Sequence, residues 1–553
     1  MVDDLPLGYY RDNFLYLIDF VRAHYDDVLS PTEKAYHDQF NRLSLDAQRL
    51  YVRLISRKGP FLRSDKLEYA EIENTPAVLS DLESREFIIR NSDAANEVWL
   101  QMATKTELVK HFSVQQKSRR KEALCAEIAA SVLPEEVKQT LPFDLVEPLF
   151  LDELAVFRLL FFGNLYQDLT DFVLRDLGIT PFESYPLDPA GRYFDRRELV
   201  QSMLAAYRLQ DQAYAVMESP EHSLAEFAAD YLVDLKSTDP QLQQRHSKIL
   251  NRVARQLERE SEPTLALSLY QGSRLVPARE RQVRLLAGQG TAEAALQLCR
   301  EICETATDEA EFEFAVTFAN RLIRQQGLSQ EGLSQQGIPD REQDHFQVDT
   351  YSLPYVPNQR VEVTTAEWLQ EGLPGAQVAY VENGLLPGLF GLFFWDIIFY
   401  PVRGAFFNPL QRGPADLFTE QFCQSRHELI EARLEELTDI ERARDRMLQT
   451  FAEKYGIANH FIMWRLLSTE LISLALQRIP ATHLAVIFRR LLRDLKNNRS
   501  GFPDLVCFPL DAGYEMVEIK GPGDSLQANQ KRWLRFFHRH QIPARVVNVI
   551  WQD

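Results

Sequence analysis

GFPDLVCFPLDAGYEMVEIKGPGDSLQANQ, residues Gly501 to Gln530, is the stretch whose reading decides the fold. Asp504 opens a β-rich run (Leu505, Val506, Cys507, Phe508), and a Pro-Leu-Asp-Ala-Gly segment with turn chemistry leads into a second run, Tyr514 to Lys520. The pair reads as a hairpin. Side chains alternate faces along a strand, so Glu518 and Lys520 share one face while Val517 and Ile519 point the other way, toward a core. Two carboxylates and an ammonium therefore converge. A Gly-Pro-Gly exit leads to a helix, for which Asp524 is the expected N-cap with Gln527 at the third position of a capping box. Gln530 then lies one turn in, within reach of the converging charges.

The pattern P-D-x13-E-x-K points to metal-dependent phosphodiester cleavage. A phosphodiester repels its nucleophile and leaves as a poor alkoxide. A hard divalent cation, Mg²⁺ or Mn²⁺, answers both problems and prefers carboxylate and carbonyl oxygens. Asp504 and Glu518 fit as metal ligands, with the Ile519 carbonyl as a further one. Lys520 is expected to orient the attacking water or to offset charge in the transition state. E-x-K by itself occurs on any charged edge strand. The preceding Pro-Asp, the hairpin and the helix after Gly523 lift this instance above that background.

With these residues in view, EIKGPGDSLQANQKRW resembles the VRR-NUC domain of the PD-(D/E)xK superfamily. Upstream, GLFGLFFWDIIF (Gly388 to Phe399) and ADLFTEQFCQSR (Ala415 to Arg426) resemble the bacterial Fanconi-anaemia-associated nucleases. The resemblance implies a restriction-endonuclease-like α/β domain at the C-terminal end. It also implies a structure-specific DNA nuclease, a 5′-flap endonuclease and 5′-to-3′ exonuclease, acting in repair that includes interstrand crosslinks. In that family a glutamate before a hydrophobic helix completes the metal site, and the matching position is Glu382 in VENG. Gln530 and Lys520 are the remaining catalytic positions implied.

With 553 residues the chain exceeds one ordinary core, and hydrophobic and charged contents of 45% and 25% exclude wholesale disorder. Five scattered cysteines and no signal peptide argue for a reducing cytoplasm, where a bacterial nuclease would associate with the nucleoid when bound to DNA. Cys299 and Cys303 lie one helical turn apart with no further ligand at finger spacing, and read as buried small residues. A net charge of −19 looks wrong for a DNA-binding chain, but clustering matters more than the sum. Arg489, Arg490, Arg493, Lys496 and Arg499 run directly toward Asp504 and predict a positive approach to it. The acidic remainder should repel DNA from other surfaces.

In chain order, residues 1–100 read as a helical N-terminal domain of winged-helix-like character: helices broken at Lys58-Gly59-Pro60, a helix over Arg63 to Ile72, another near Pro76 to Leu82, and a short strand at Phe87 to Arg90. LYVRLISRKGPFLRSDKLEYAEI also resembles the N-terminal part of the same nucleases, with a plain helical domain as the alternative. Residues 101–140 divide into two short helices with a basic link, Lys117, Arg119 and Arg120 among its charges, and resemble a SAP motif that docks on duplex backbone. A plain solvated basic helix pair is the alternative. Residues 141–360 read as a TPR-like helical solenoid without a strict repeat, including one long helix over Leu154 to Leu177. Arg245, Arg252, Arg279, Arg281 and Arg284 recur there and suggest a phosphate pocket. The resemblance places a terminal 5′ phosphate in this region, with Arg252 and then Arg281 as the matching positions. A polar linker is expected over Gly327 to Gln359, and residues 361–553 form the nuclease domain.

Leu385 to Tyr400 is apolar but short, with Pro387 and Asp396, and fails as a membrane span; it reads as a buried helix. The helical layer that follows is associated, by resemblance, with acting as a monomer. His538 and His540 read as surface residues. The expected partner is branched or flapped DNA with a 5′ end, recognised by shape and backbone. Two other functions remain open at this point: a dimeric Holliday-junction-type resolvase, and a helical scaffold carrying a vestigial nuclease.

Overall fold

The computed structural model describes residues 6–93, 98–169, 172, 181–219, 221–325, 338–339, 343–511 and 513–552. They fall into two compact units, one of Met1–Thr180 with Phe194–Leu204, the other of Pro181–Tyr193 with Ala205–Asp553.

The first unit opens with helices Tyr9–His24, Pro31–Asn41 and Leu45–Ile55. The second starts sharply because Ser30 accepts from the Glu33 N–H while Glu33 accepts from Ser30, with Pro31 at the first helical position. A small antiparallel sheet follows, with β1 (Leu62–Arg63), β2 (Ile88–Arg90) and β3 (Leu145–Pro148) in the order β1-β3-β2. The helix expected over Arg63 to Ile72 does not form: β1 pairs with β3, a 3₁₀ turn spans Ser64–Lys66, and Arg63 is tied to Asp65 at 2.8 Å and Glu107 at 2.7 Å. Those long-range partners override local helix propensity.

Among the described residues four short helices lie between β2 and β3 and have their own core, built on Trp99, Leu108, Leu124, Ile128 and Phe143. Among them, Lys105–His111 and Lys121–Ser131 flank a loop in which Lys117, Arg119 and Arg120 are exposed. The expected solenoid start at 141 is therefore corrected. β3 belongs to the first sheet, and Leu151–Phe162 packs on the first two helices. That helix stops where Gly163 adopts φ 71° and its N–H reaches the Leu159 carbonyl, far short of the long helix expected to Leu177, whose end lies outside the described residues.

In the second unit, helices Leu224–Tyr231, Pro240–Arg259, Pro263–Gly272, Ala278–Gly288, Ala292–Thr305 and Glu309–Gln325 each pack on the next in sequence. Their Ala, Leu and Val faces form two linked cores. β4 (Gln347–Pro354) comes next, where a polar linker was expected, and moves the start of the nuclease sheet to before 361. The reason is its place at the edge of the sheet: within β4 only Leu353 is buried, so the apolar alternation that marks a strand is missing.

The sheet continues with β5 (Gln377–Tyr380), β6 (Leu505–Phe508), β7 (Glu515–Lys520) and β8 (Ala544–Gln552), in the order β4-β8-β7-β6-β5. β7 is the central strand. It runs parallel to β8 and antiparallel to β6, and it is covered on both faces: Val517 and Ile519 enter one core, Met516 the other. Residues 381–504 are inserted between the neighbouring strands β5 and β6. Within them Leu385–Phe393 is buried along its whole length, breaks at Phe394 and resumes at Trp395–Ile398. Among the described residues no single helix is long and apolar enough to cross a membrane. The bent pair Thr469–Arg478 and Ala481–Arg493 passes by composition, but Ile472, Leu476, Leu484 and Ile487 are spent in this core.

Candidate active site

Asp504 sits at the mouth of β6. Its carbonyl accepts from the N–H groups of Val381 at 2.8 Å and Glu382 at 3.0 Å, and its Oδ2 accepts from the Ile519 N–H at 2.8 Å. Those bonds fix it beside Glu518, which is 1% exposed on the central strand. Glu518 Oε1 accepts from Gln530 Nε2 at 2.6 Å and from Lys520 Nζ at 2.8 Å. The structure thus brings Asp504, Glu518, Ile519, Lys520 and Gln530 together. The helix carrying Gln530 spans Ala528–Arg539 and is capped by Gln527, whose N–H donates to Gln530 Oε1 at 2.9 Å. Asp524, the expected cap, instead accepts from the Gly521 N–H at 3.1 Å and closes the turn before the helix.

Burial dominates the electrostatics. It pushes the Asp504 carboxyl up to about 6, reinforced by the charges of Glu362 and Glu382 and opposed by the Ile519 N–H and Lys520. It pushes Glu518 up to about 8, with Asp504 adding to the shift and Lys520 opposing it. Glu362 carries no signal in the sequence. It stands at the start of helix Val361–Gly372, whose first residue approaches Gly521 just past β7.

Glu382 lies beyond the end of β5 with φ at 29°, a left-handed conformation that is costly for a side chain of this size. Its Oε2 accepts from the Tyr380 hydroxyl, and Asn383 Nδ2 lies 3.4 Å from Oε1. Among the described residues no three acidic, His or Cys side chains are grouped closely enough to hold a metal ion together. Asp504 and Glu518 form the nucleus of the site, with Glu382 close enough to act on both electrostatically.

The arginines ahead of Asp504 are put to a different use from the one expected. Arg490 is buried, pairs with Glu309 and lies 4.0 Å from the Trp533 ring centre; Arg493 donates to the Ala306 carbonyl at 3.0 Å; Arg489 pairs with Glu431 at 2.9 Å. Arg490 and Arg493 hold the last helices of the stack against the nuclease sheet. Lys496 and Arg499 keep no carboxylate partner among the described residues, Arg499 resting 4.7 Å from the Phe418 ring centre.

On the helical stack, Arg279 pairs with Glu311, Arg284 with Glu280 at 2.8 Å, and Arg281 with Glu258, 2.9 Å through Nε. Arg252 is exposed and, among the described residues, without a carboxylate partner, 6.0 Å from the Tyr214 ring centre. One turn away is Lys248, which sequence reasoning missed. Crowding by protein, then the charges of Arg245 and Lys496, push its ammonium down from the usual lysine range. Arg245, Lys248 and Lys496 thus form one positive surface across stack and nuclease, with Arg252 beside it. In the first unit, Arg119 lies 3.5 Å from Glu127 while Lys117 and Arg120 are exposed.

The sheet, the Asp504/Glu518/Lys520 cluster and the Gln530 helix define the class: a PD-(D/E)xK nuclease. The VRR-NUC domain family model matches residues 439–551, and the model described as FAN1, HTH domain matches residues 8–89. The Fanconi-associated nuclease 1 homolog of Pseudomonas aeruginosa is 35% identical over 98% of this chain and 96% of its own length. The Arabidopsis thaliana homolog is 25% identical over 95% of this chain and 65% of its own. A crystal structure of paFAN1 bound to 2nt 5′flap DNA with gap superposes with a TM-score of 0.84 at 33% identity, covering 100% of both chains. The chain belongs to the Fanconi-associated nuclease family, and it is a structure-specific DNA nuclease.

Nucleases of the VRR-NUC family are metal-dependent, and the donor set here fits that requirement. Two neighbouring carboxyls are held in a setting that disfavours their ionisation, and Lys520 is the cation that opposes the shift of both. A dication between them would relieve that conflict, and their hard oxygens suit one.

Proposed function

We propose that this nuclease cuts flapped or branched DNA carrying a 5′ end, releasing 5′ flaps and stepping 5′ to 3′, as a monomer in DNA repair that includes crosslinks. Mg²⁺ or Mn²⁺ would be the cofactor, and Asp504, Glu518, Glu382 and the Ile519 carbonyl would hold it. Bound there, the ion would supply Lewis-acid activation of water and neutralise phosphate charge. The chain's own residues do the rest. The Ile519 N–H fixes the Asp504 carboxylate, and Gln530 fixes Glu518 while leaving its second oxygen to the ion. Lys520, held against Glu518, is positioned to orient the water and to meet charge that develops on the phosphate.

The observation that carries the 5′-end reading is the positive surface of Arg245, Lys248 and Lys496 with Arg252 beside it. It survives on an acidic chain in which Arg279, Arg281 and Arg284 are all neutralised by glutamates. A terminal 5′ phosphate at the Arg252 and Lys248 end of that surface, with Lys496 and Arg499 toward the scissile strand, would set the distance from end to cut. Lys117, Arg119 and Arg120 in the first unit would contact duplex backbone without reading sequence.

The test is cleavage of a labelled flap bearing either a 5′ phosphate or a 5′ hydroxyl. One charge-assisted contact is worth about 1.5–3 kcal/mol, so the phosphorylated flap should be cut roughly ten- to a hundredfold faster and at a more uniform position. Equal rates would sink the pocket. A solution mass of twice the chain would favour a junction resolvase.

A further inference from the structure

The loop Val381–Gly384 joins β5 to the buried helix Leu385–Phe393 and is pinned along its length. The Val381 and Glu382 N–H groups donate to the Asp504 carbonyl at 2.8 and 3.0 Å. Asn383 Oδ1 accepts from the Gly501 N–H at 2.8 Å and the Phe502 N–H at 3.2 Å, and the Gly384 N–H closes on the Val381 carbonyl at 2.6 Å. The backbone of Glu382 is therefore fixed, at its unusual φ of 29°, to the segment that carries Asp504. Its carboxylate still turns about the last side-chain bond unless something holds it, and the 3.4 Å contact from Asn383 Nδ2 to Oε1 is too long to do so by itself. Tyr380 does so: it ends β5, pairs in register with Leu505 at the start of β6, packs beside the core of the sheet, and donates its hydroxyl to Glu382 Oε2.

We propose that Tyr380 is a positioning residue: its hydroxyl holds one oxygen of Glu382 so that the other is presented to the divalent ion shared with Asp504 and Glu518. The inference rests on the metal-site reading above and adds to it the group that orients its third carboxylate. Metal-binding carboxylates are themselves hydrogen-bonded, and removing such a support costs about 10- to 100-fold in metal affinity. The opposite arrangement, in which Tyr380 withholds Glu382 from the ion, predicts the opposite sign.

Isothermal titration of the full chain with Mn²⁺, without DNA, separates these outcomes. Tyr380→Phe should weaken Mn²⁺ binding about tenfold, and it should have no further effect in a Glu382→Gln background. Glu382→Asp, whose shortened carboxylate leaves the reach of the hydroxyl, should reproduce the loss with Tyr380 intact, and this variant carries the test if the phenylalanine variant fails to fold. Unchanged or tighter binding by Tyr380→Phe overturns the proposal, as does an equal loss in the Glu382→Gln background. A wild-type chain that binds no Mn²⁺, or binds it as well after Glu518→Gln, overturns the metal-site reading itself and this inference with it.

Discussion

Glu518 must be charged to hold a cation, yet the protein alone resists charging it. Its carboxyl sits at about 8, above the ordinary 4.5, because it is buried beside Asp504. A carboxyl whose folded-state value is raised stabilises the fold fully below 4.5, and that contribution is lost as pH rises through about 8. Metal-free Glu518→Gln should therefore melt at a higher temperature than wild type at alkaline pH, the gap closing on acidification toward the ordinary carboxylate range. Calorimetry in chelator reads it, and a less stable variant at alkaline pH would contradict the assignment. The same substitution, or Asp504→Asn, should cost at least about a hundredfold in cleavage while flap affinity, read by fluorescence anisotropy, stays nearly unchanged. Lys520→Ala should lose rate more than binding, since its charge matters most when the phosphate is crowded.

At the scale of elements, two arginines on different helices of the stack divide between stability and recognition. Arg281 is locked to Glu258, which also accepts from the Tyr270 hydroxyl at 2.7 Å, so Arg281→Ala leaves a mostly buried carboxylate short of its partner. It should lower the melting temperature and leave the preference for a 5′ phosphate intact. Arg252→Ala should do the reverse, and kinetics on phosphorylated and hydroxyl flaps beside a thermal melt would expose a swapped assignment. The hairpin, the buried Leu385–Phe393 helix and the Gln530 helix were legible because each announces itself locally, through turn residues, apolar runs and a charge pattern on one strand. β4 was not, for an edge strand with one buried side chain leaves no alternation to read. Nor were the uses of Arg281, Arg490 and Arg493, because a row of cations looks the same whether it faces DNA or a glutamate brought in from far along the chain. Glu309, 181 residues from Arg490, decides that question only after folding. Glu382 was legible by resemblance alone, since nothing local distinguishes it from any other loop acid.

Across the whole molecule, the nuclease sheet interleaves distant parts of the chain. Tyr380 and Leu505 are register partners across the entire 381–504 insertion, and β8 lies between β4 and β7. Joining Val381 directly to Asp504 through a two-residue turn would be geometrically feasible, but it would strip the helical cover from Met516, Trp533 and Phe537. Such a chain should bind a hydrophobic dye and precipitate; a soluble monomer would show that the insertion is dispensable to the core.

The same interleaving has a temporal side. On a ribosome the basic loop at Lys117–Arg120 and the stack cations Arg245, Lys248 and Arg252 are made long before Glu518, and β7 gains its second neighbour only when Ala544–Gln552 has emerged. A nascent chain can thus reach DNA before it can harm it. Chains halted ahead of Ala544 should retain affinity for a flap yet leave it uncut, so that in a cell where translation runs alongside the chromosome, the order of synthesis itself keeps the blade sheathed.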